Sequence, residues 1–352
     1  MPSKIAKVLS QELERSHNMR SFLFASLVAK HITIAVSVQG FTPQVALPFR
    51  HPALNRFSST AMTASSHNNA DKWSEQADLY SDHSARLTEL HGADLVTLLK
   101  EDILKAKTIL DIGCGTGAFA KAYLQQFPNG VPGQTLISSD HSEGMMLKAK
   151  ETVVPPSESF QTKLVFQQED GTKLEGISDG SVDMVVSLFG VFLIPDQAAA
   201  CQAIQRVLKK EGGVVAIASW QFGLSDFLAD QGFGVSLQDA FQLPSRTIDP
   251  NLANFQSIAN WSSREGATKM LSEEYQLKKV EIHGGLHTIL FDFDYLWKVI
   301  CQNPMSNTHD ASEEDLKRTK EALIQFVTRD GKHSIDKPLL YSTASFLCIG
   351  RG

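Results

Sequence analysis

The stretch Ile109-Leu110-Asp111-Ile112-Gly113-Cys114-Gly115-Thr116-Gly117-Ala118-Phe119 decides the fold. Three apolar residues and one aspartate lead into glycines at alternate positions. An amphipathic run follows at once, with Phe119, Tyr123 and Phe127 on one face. The spacing predicts a buried strand (108–113), a sharp turn and a helix. Glycine removes the side chain where backbone must turn tightly and approach a ligand. The helix start adds free amide donors and the positive end of a dipole.

Working outward, the rhythm repeats. TLISSD (135–140), LVFQQED (164–170), VDMVVSLFG (182–190) and VVAIASW (214–220) read as further strands. Helical patterns around Met145–Lys150 and from about Gln197 to Lys210 separate them. Near-continuous apolar strands alternating with amphipathic helices specify an α/β fold, a mostly parallel sheet with helices on both faces. Upstream, Asp71–Lys100 has helical spacing, with Leu87, Leu90, Leu95, Leu98 and Leu99 as its apolar positions. Past Trp220 the periodicity fails, so about 222–272 reads as a partly helical cap. KKVEIHGGLHTILF (278–291) is then a strand, and FDYLWKVICQN (293–303) a helix. A further helix is capped by Ser312 and ended by Gly331, and LYSTASFLCIG (340–350) is the last strand. The expected organisation is an extension (1–70) and one domain (71–352). That domain comprises a lid helix (about 71–100), a core (101–221), the cap, and closing strands and helices (273–352).

The formal charge of -6 is unevenly spread. Residues 1–70 hold seven Lys and Arg against two Glu, a formal +5, which leaves -11 for the rest. An acidic body disfavours a phosphate backbone, so a nucleic-acid partner is not expected. Cys114, Cys201, Cys301 and Cys348 have neither disulfide-like nor zinc-like spacing, and no HExxH-type motif occurs. The chain reads as metal-free.

From Ser16 to Ala70 no acidic residue occurs, and Ser, Thr, Ala and scattered Arg dominate. That composition suits an organelle presequence, plastid or mitochondrial, although a cytoplasmic protein with a functionless extension is the alternative. Inside it SFLFASLVAKHITIAVSV (21–38) is interrupted by Lys30 and His31, which argues against a membrane span.

GCGTGA also satisfies the G-x-G-x-x-A pattern of dinucleotide-binding folds. Three acids break the tie. Asp111, at the end of the first strand, would repel a pyrophosphate but attracts a ligand carrying an ammonium and a sulfonium. Asp140 ends the second strand, where a carboxylate can accept from two ribose hydroxyls. Glu169-Asp170-Gly171 ends the third, where an acid can accept from an adenine amino group.

ILDIGCGTG, SSDHSEGMM, QQEDGTKL, SDGSVDMVVSLFGVFLIPD and VLKKEGGVVAIASW resemble, in order, the motifs of class I methyltransferases. The likeness is to the small-molecule branch called type 11, which includes quinone methyltransferases, and runs from about Trp73 to the C-terminus. The resemblance implies a Rossmann-like sheet of seven strands, the last antiparallel to the one before it, and S-adenosyl-L-methionine as cofactor. It implies that Asp111, Gly113, Gly115 and Gly117 hold the methionine part, Asp140 the ribose, and Asp170 with Gly171 the adenine. His141 and Met145 would flank the adenine, Ser187 would lie near the transferred methyl, and Tyr80 would cover the cofactor from the lid.

Methyl transfer from a sulfonium is an in-line displacement that needs alignment and exclusion of water, and a base only for a protonated acceptor. His283, His287 and His91 are the candidate bases. Trp220, Phe222, Phe233 and Trp261 are candidates for an acceptor wall. The acceptor reads as a small molecule, with carbon, oxygen, nitrogen or sulfur all open. A quinone acceptor is the first alternative, but Ser81–Val96 lacks the stretch that marks the ubiquinone and menaquinone enzymes. A dinucleotide-binding protein and a non-catalytic binder of the same cofactor are the alternatives of another class. Oligomeric state is not legible.

Overall fold

The computed structural model describes residues 70–224, 228, 234–241, 243, 260–301, 308, 311–329 and 334–352. The expected N-terminal extension (Ala70 apart), most of 225–259 in the expected cap, and Gly331 lie outside the described residues. The lid region is a broken helical run rather than one helix. α1 (Ala70–Glu75) and a short turn are followed by a π-helical turn at Tyr80–Ser84, then α2 (Ala85–Leu98) and α3 (Lys100–Lys105). Such wide turns re-aim side chains at functional sites, and here the turn begins at Tyr80.

The sheet then builds outward from the diagnostic motif. β1 (Thr108–Ile112) leads through the glycine turn into α4 (Ala118–Gln126) and β2 (Thr135–Asp140). α5 (Glu143–Thr152), whose N-cap Ser142 accepts from Met145 N, precedes β3 (Lys163–Gln168). No helix joins β3 to β4 (Met184–Leu188) among the described residues, and α6 (Gln197–Val207) leads to β5 (Val214–Trp220). β1, β2, β3, β4 and β5 pair in parallel. β6 (Val235–Ser236), α7 (Leu237–Phe241), α8 (Arg264–Lys269), β7 (Lys279–Phe291), α9 (Phe293–Cys301), α10 (Glu313–Thr328) and β8 (Leu339–Arg351) complete the chain.

The strand order is β3-β2-β1-β4-β5-β8-β6, with β7 paired along β8. β8 runs antiparallel to both β5 and β7. Seven long strands match the expected sheet. The eighth, β6, was not expected: its two residues pair with Tyr341 and Ser342, where β8 projects beyond the end of β5. A two-residue strand has no periodicity to read.

Ile109, Leu110, Val185, Val186, Val215 and Ile217 are fully buried, which accounts for their uninterrupted apolar runs. Leu95, Leu99 and Ile103 pack on them from α2, α3 and the turn between. A second cluster gathers Ile289, Phe291, Leu296, Leu323 and Tyr341 around β7, α9 and α10. The strand order reverses between β1 and β4, so the crevice past their carboxyl ends is where such sheets take ligands. Among the described residues no helix is long and apolar enough to cross a membrane.

Candidate active site

A cavity of about 330 Å³ opens at that crevice, floored by the β1–α4 turn. Its three glycines answer three different demands. Gly113 (φ 67°) faces Gly190, and a Cβ there would lie 3.0 Å from the Gly190 Cα, so the loops after β1 and β4 meet glycine to glycine. Gly117 (φ 89°) caps α4, and a Cβ there would come within 2.4 Å of Val153 Cγ2. Gly115 (φ 55°) lines the cavity, and a Cβ there would have no protein atom within 4 Å. Gly117 serves packing, and Gly113 both packs against Gly190 and lines the cavity. The space over Gly115 is left for a ligand.

The acids expected at the strand ends are all at this end of the sheet, in different electrostatic states. Asp140 Oδ2 accepts from Gly115 N (2.8 Å) and Oδ1 from Ser142 N (2.9 Å). Burial nevertheless raises its carboxyl above the ordinary range, against the pull of those two bonds. Each oxygen keeps a lone pair for a further donor. Asp111 is fully buried and neither carboxylate oxygen has a partner. Burial drives its carboxyl far up, and the neighbouring Asp140 adds to the effect. Asp170 differs: burial raises it, but Thr172 N and Oγ1 on Oδ1 (2.9 and 2.7 Å), with His141 and Lys173, outweigh this and hold it low. Glu169, also in the wall, accepts from Gln167 Nε2 at 2.8 Å. Cys114 lines the floor, but burial, Asp140 and Asp111 push its thiol up, which leaves it inert.

Trp73 and Tyr80 roof the cavity, edge to face at 5.9 Å. Burial pushes the Tyr80 hydroxyl to about 12, so it stays protonated at neutral pH. Met145 is buried in the wall, His141 lies exposed at its rim, and Gly171 packs beneath Ile194. On the far side Leu188, Phe189, Leu193 and Ile194 make an apolar wall. Phe189 adopts φ 63°, rare for a residue with a side chain, and stacks on Trp220 at 3.5 Å and 12°.

Several expected residues stand elsewhere. Asp111 and Gly117 lie behind the lining. Ser187, expected near the transferred methyl, is buried: its hydroxyl donates to Ile112 O (2.7 Å) and accepts from Val191 N (2.8 Å). It ties the β4 loop to β1 and does not line the cavity. Nor does any of the three candidate bases. His283 sits half-exposed against Glu281, while His91 and His287 lie behind Phe189 and Trp220. Trp261, a candidate for the acceptor wall, is fully buried and donates to Gln197 Oε1, so it is a core residue. Phe222 packs on the core, and Phe233 falls outside the described residues. Sequence reading did not single out Thr88, Phe189 or Asp196, which line the cavity. No spacing in the sequence marks them as cavity residues.

Residues 110–216 match a family described as "Methyltransferase domain". The chain is 24% identical over 253 residues to a malonyl-[acyl-carrier protein] O-methyltransferase of Ilyobacter polytropus, covering 71% of this chain and 86% of that protein. It is 25% identical over 186 residues to a phosphatidylethanolamine N-methyltransferase of Cereibacter sphaeroides, covering 52% and 77%. Among solved structures, the YcgJ protein of Bacillus subtilis aligns at a TM-score of 0.44 with 17% identity, over 72% of this chain and 97% of that one. Residues 110–216 carry a methyltransferase domain, and the chain is an S-adenosylmethionine-dependent methyltransferase that acts on small molecules.

Proposed function

We propose that the chain transfers the methyl group of S-adenosylmethionine to a small acceptor that is neutral or positively charged. The observation that carries this is the lining charge: Asp140, Glu169, Asp170 and Asp196 border the cavity, and no Lys or Arg does so among the described residues. Such a wall attracts a cation, tolerates a neutral molecule and repels a carboxylate or phosphate. This chain therefore parts from its carrier-protein relative, whose name specifies a malonyl acceptor.

The cofactor fits the residues present. Asp111 is a buried carboxyl without a partner, held protonated by burial and able to give up its proton to a cation bound over the floor. Gly115 leaves open the space a side chain would fill. In this reading Gly113 and Gly115 bear the methionine part, with Asp111 attracting its positive charge through the floor. The free lone pairs of Asp140 accept from the ribose, and Asp170, Gly171, Met145 and His141 surround the adenine. When bound, the cofactor supplies a methyl carbon already activated by sulfonium. The protein's part is alignment and exclusion of water. Trp73 and Tyr80 close the site from above, and Phe189 and Leu193 face the acceptor. Since none of His91, His283 and His287 lines the cavity, none of them is assigned as a base. An acceptor nucleophilic without deprotonation, such as an amine or a thioether, suits the site best.

The quinone alternative has a relative, a 2-methyl-6-phytyl-1,4-hydroquinone methyltransferase of Synechocystis, 28% identical over 113 residues. That match covers only 32% of each chain, too little to bear on the acceptor. The test is turnover of radiolabelled S-adenosylmethionine against separate pools of cationic, neutral and anionic metabolites, with the product identified by mass. Labelling confined to anionic acceptors refutes the proposal. An organelle address in residues 1–70 belongs to the same proposal and rests on composition alone.

A further inference from the structure

Behind the aromatic wall of the cavity, two histidines and an aspartate converge from opposite ends of the chain. We propose that His91, Asp94 and His287 bind one divalent transition-metal ion of the zinc class, which clamps α2 to β7 and β8. One ligand atom from each residue lies within 4.8 Å of the other two. His287 Nε2 stands 2.7 Å from Asp94 Oδ2, although 193 residues separate them. His91 is fully buried, His287 nearly so, and Asp94 reaches solvent, so an ion has a way in.

Three observations favour an ion over hydrogen bonds alone. The nearly buried His287 turns Nε2 towards Asp94 Oδ2, so the nitrogen that would ligate already faces the carboxylate. His91 Nε2 lies 2.7 Å from Thr343 Oγ1, and donation to that hydroxyl leaves the lone pair on Nδ1, 2.9 Å from Ser345 Oγ. This is the outer-shell bond that orients a metal-bound imidazole. The third observation is Gly285. It sits within β7 without a positive φ, so its backbone does not require glycine. A Cβ there would lie 2.7 Å from Ser345 Oγ, 2.9 Å from His91 Nδ1 and 3.4 Å from Asp94 Oδ2. Two of the three donor atoms, from His91 and Asp94, border space that a side chain would take.

The chemistry of the set selects the ion. Two imidazoles and one carboxylate suit zinc and its neighbours, whereas calcium and magnesium prefer oxygen alone. Three protein ligands leave one position for water. Phe189, which lines the cavity, meets the His91 ring edge-on at 5.5 Å, so the ion stands behind the wall and not at the transferred methyl. Its work is positioning: α2 carries Thr88 in the cavity wall one turn before His91.

The test uses the full chain, stripped with chelator and dialysed against zinc or, in parallel, cobalt(II). About one ion per chain should be retained, with visible ligand-field bands for cobalt and a higher melting temperature than the stripped protein. Asp94→Asn keeps an acceptor for His287, and so the fold, but should lose the ion. His287→Gln should lose it too, whereas His283→Gln should keep it. Binding of S-adenosylmethionine by Asp94→Asn checks that this variant is folded. Retention below about a tenth of an ion per chain overturns the proposal. Equal retention by wild type, Asp94→Asn and His287→Gln also overturns it.

Discussion

Replacing Asp111 by Asn should move stability and cofactor affinity in opposite directions. The carboxylate is fully buried with both oxygens unpartnered, and burial and Asp140 raise its pKa. A buried polar group without partners costs about 1–3 kcal/mol, and more when charged. The sign with pH follows from proton uptake. The folded state holds this proton more tightly than the unfolded chain, so stability falls as pH rises from the ordinary carboxylate range towards the raised value. Asn carries no such penalty. Without cofactor, Asp111→Asn should therefore match wild type near pH 4 and exceed it at pH 8 by about 1–3 kcal/mol, or a few degrees in melting temperature. For binding, a unit charge about 6–8 Å away at an effective dielectric of about 20 contributes roughly 2–3 kcal/mol. Ionising the buried carboxyl offsets part of this, so its loss should weaken S-adenosylmethionine binding roughly 10- to 100-fold. Wild type should also release a proton on binding, and the variant should not. Differential scanning fluorimetry across pH and calorimetry in two buffers of different ionisation enthalpy measure all three. An Asn variant less stable than wild type at pH 8, or affinity within a factor of about three, would refute the reasoning.

The glycines provide a contrast: Gly115→Ala should cost about 1–2 kcal/mol for its left-handed backbone yet abolish cofactor binding. Gly117→Ala should lose more stability, because Val153 blocks its Cβ; equal effects in thermal melts and binding titrations would count against this. Phe189→Leu should raise the acceptor KM and leave cofactor affinity within a factor of about two, measured by steady-state kinetics beside calorimetry. Burial raises Asp183, but Lys209, Thr108 N and Lys107 N outweigh it and hold the carboxyl low. Its contribution is present above the unfolded carboxylate pKa and lost as pH falls through the folded value. Asp183→Asn should thus be destabilised at pH 7 and show a shallower loss in acid, and an unchanged acid limb in a pH-dependent urea series would contradict that. A fluorescent fusion of residues 1–70 should enter an organelle, and a cytosolic signal would dispose of the presequence.

Much of this protein was legible before its structure. Ile109, Leu110, Val185 and Ile217 sit in strands buried on both faces, so their apolar runs were continuous and the parallel sheet followed. The turn from Asp111 to Gly117 was readable because backbone geometry there excludes most side chains, and Asp140 and Asp170 stood at or just past strand ends. The acceptor side was not. Ser187 has the right address but spends its hydroxyl on Ile112 and Val191, which depends on how the β4 loop folds back. Phe189 reaches the cavity through a backbone angle that no propensity encodes. Local order of residues determines elements, glycine turns and strand-end acids, because those forces act within a few positions. Only the tertiary structure brings His91 and Asp94 on α2 to His287 on β7. That contact is set by how a helix packs across two antiparallel strands, and no spacing along the chain records it.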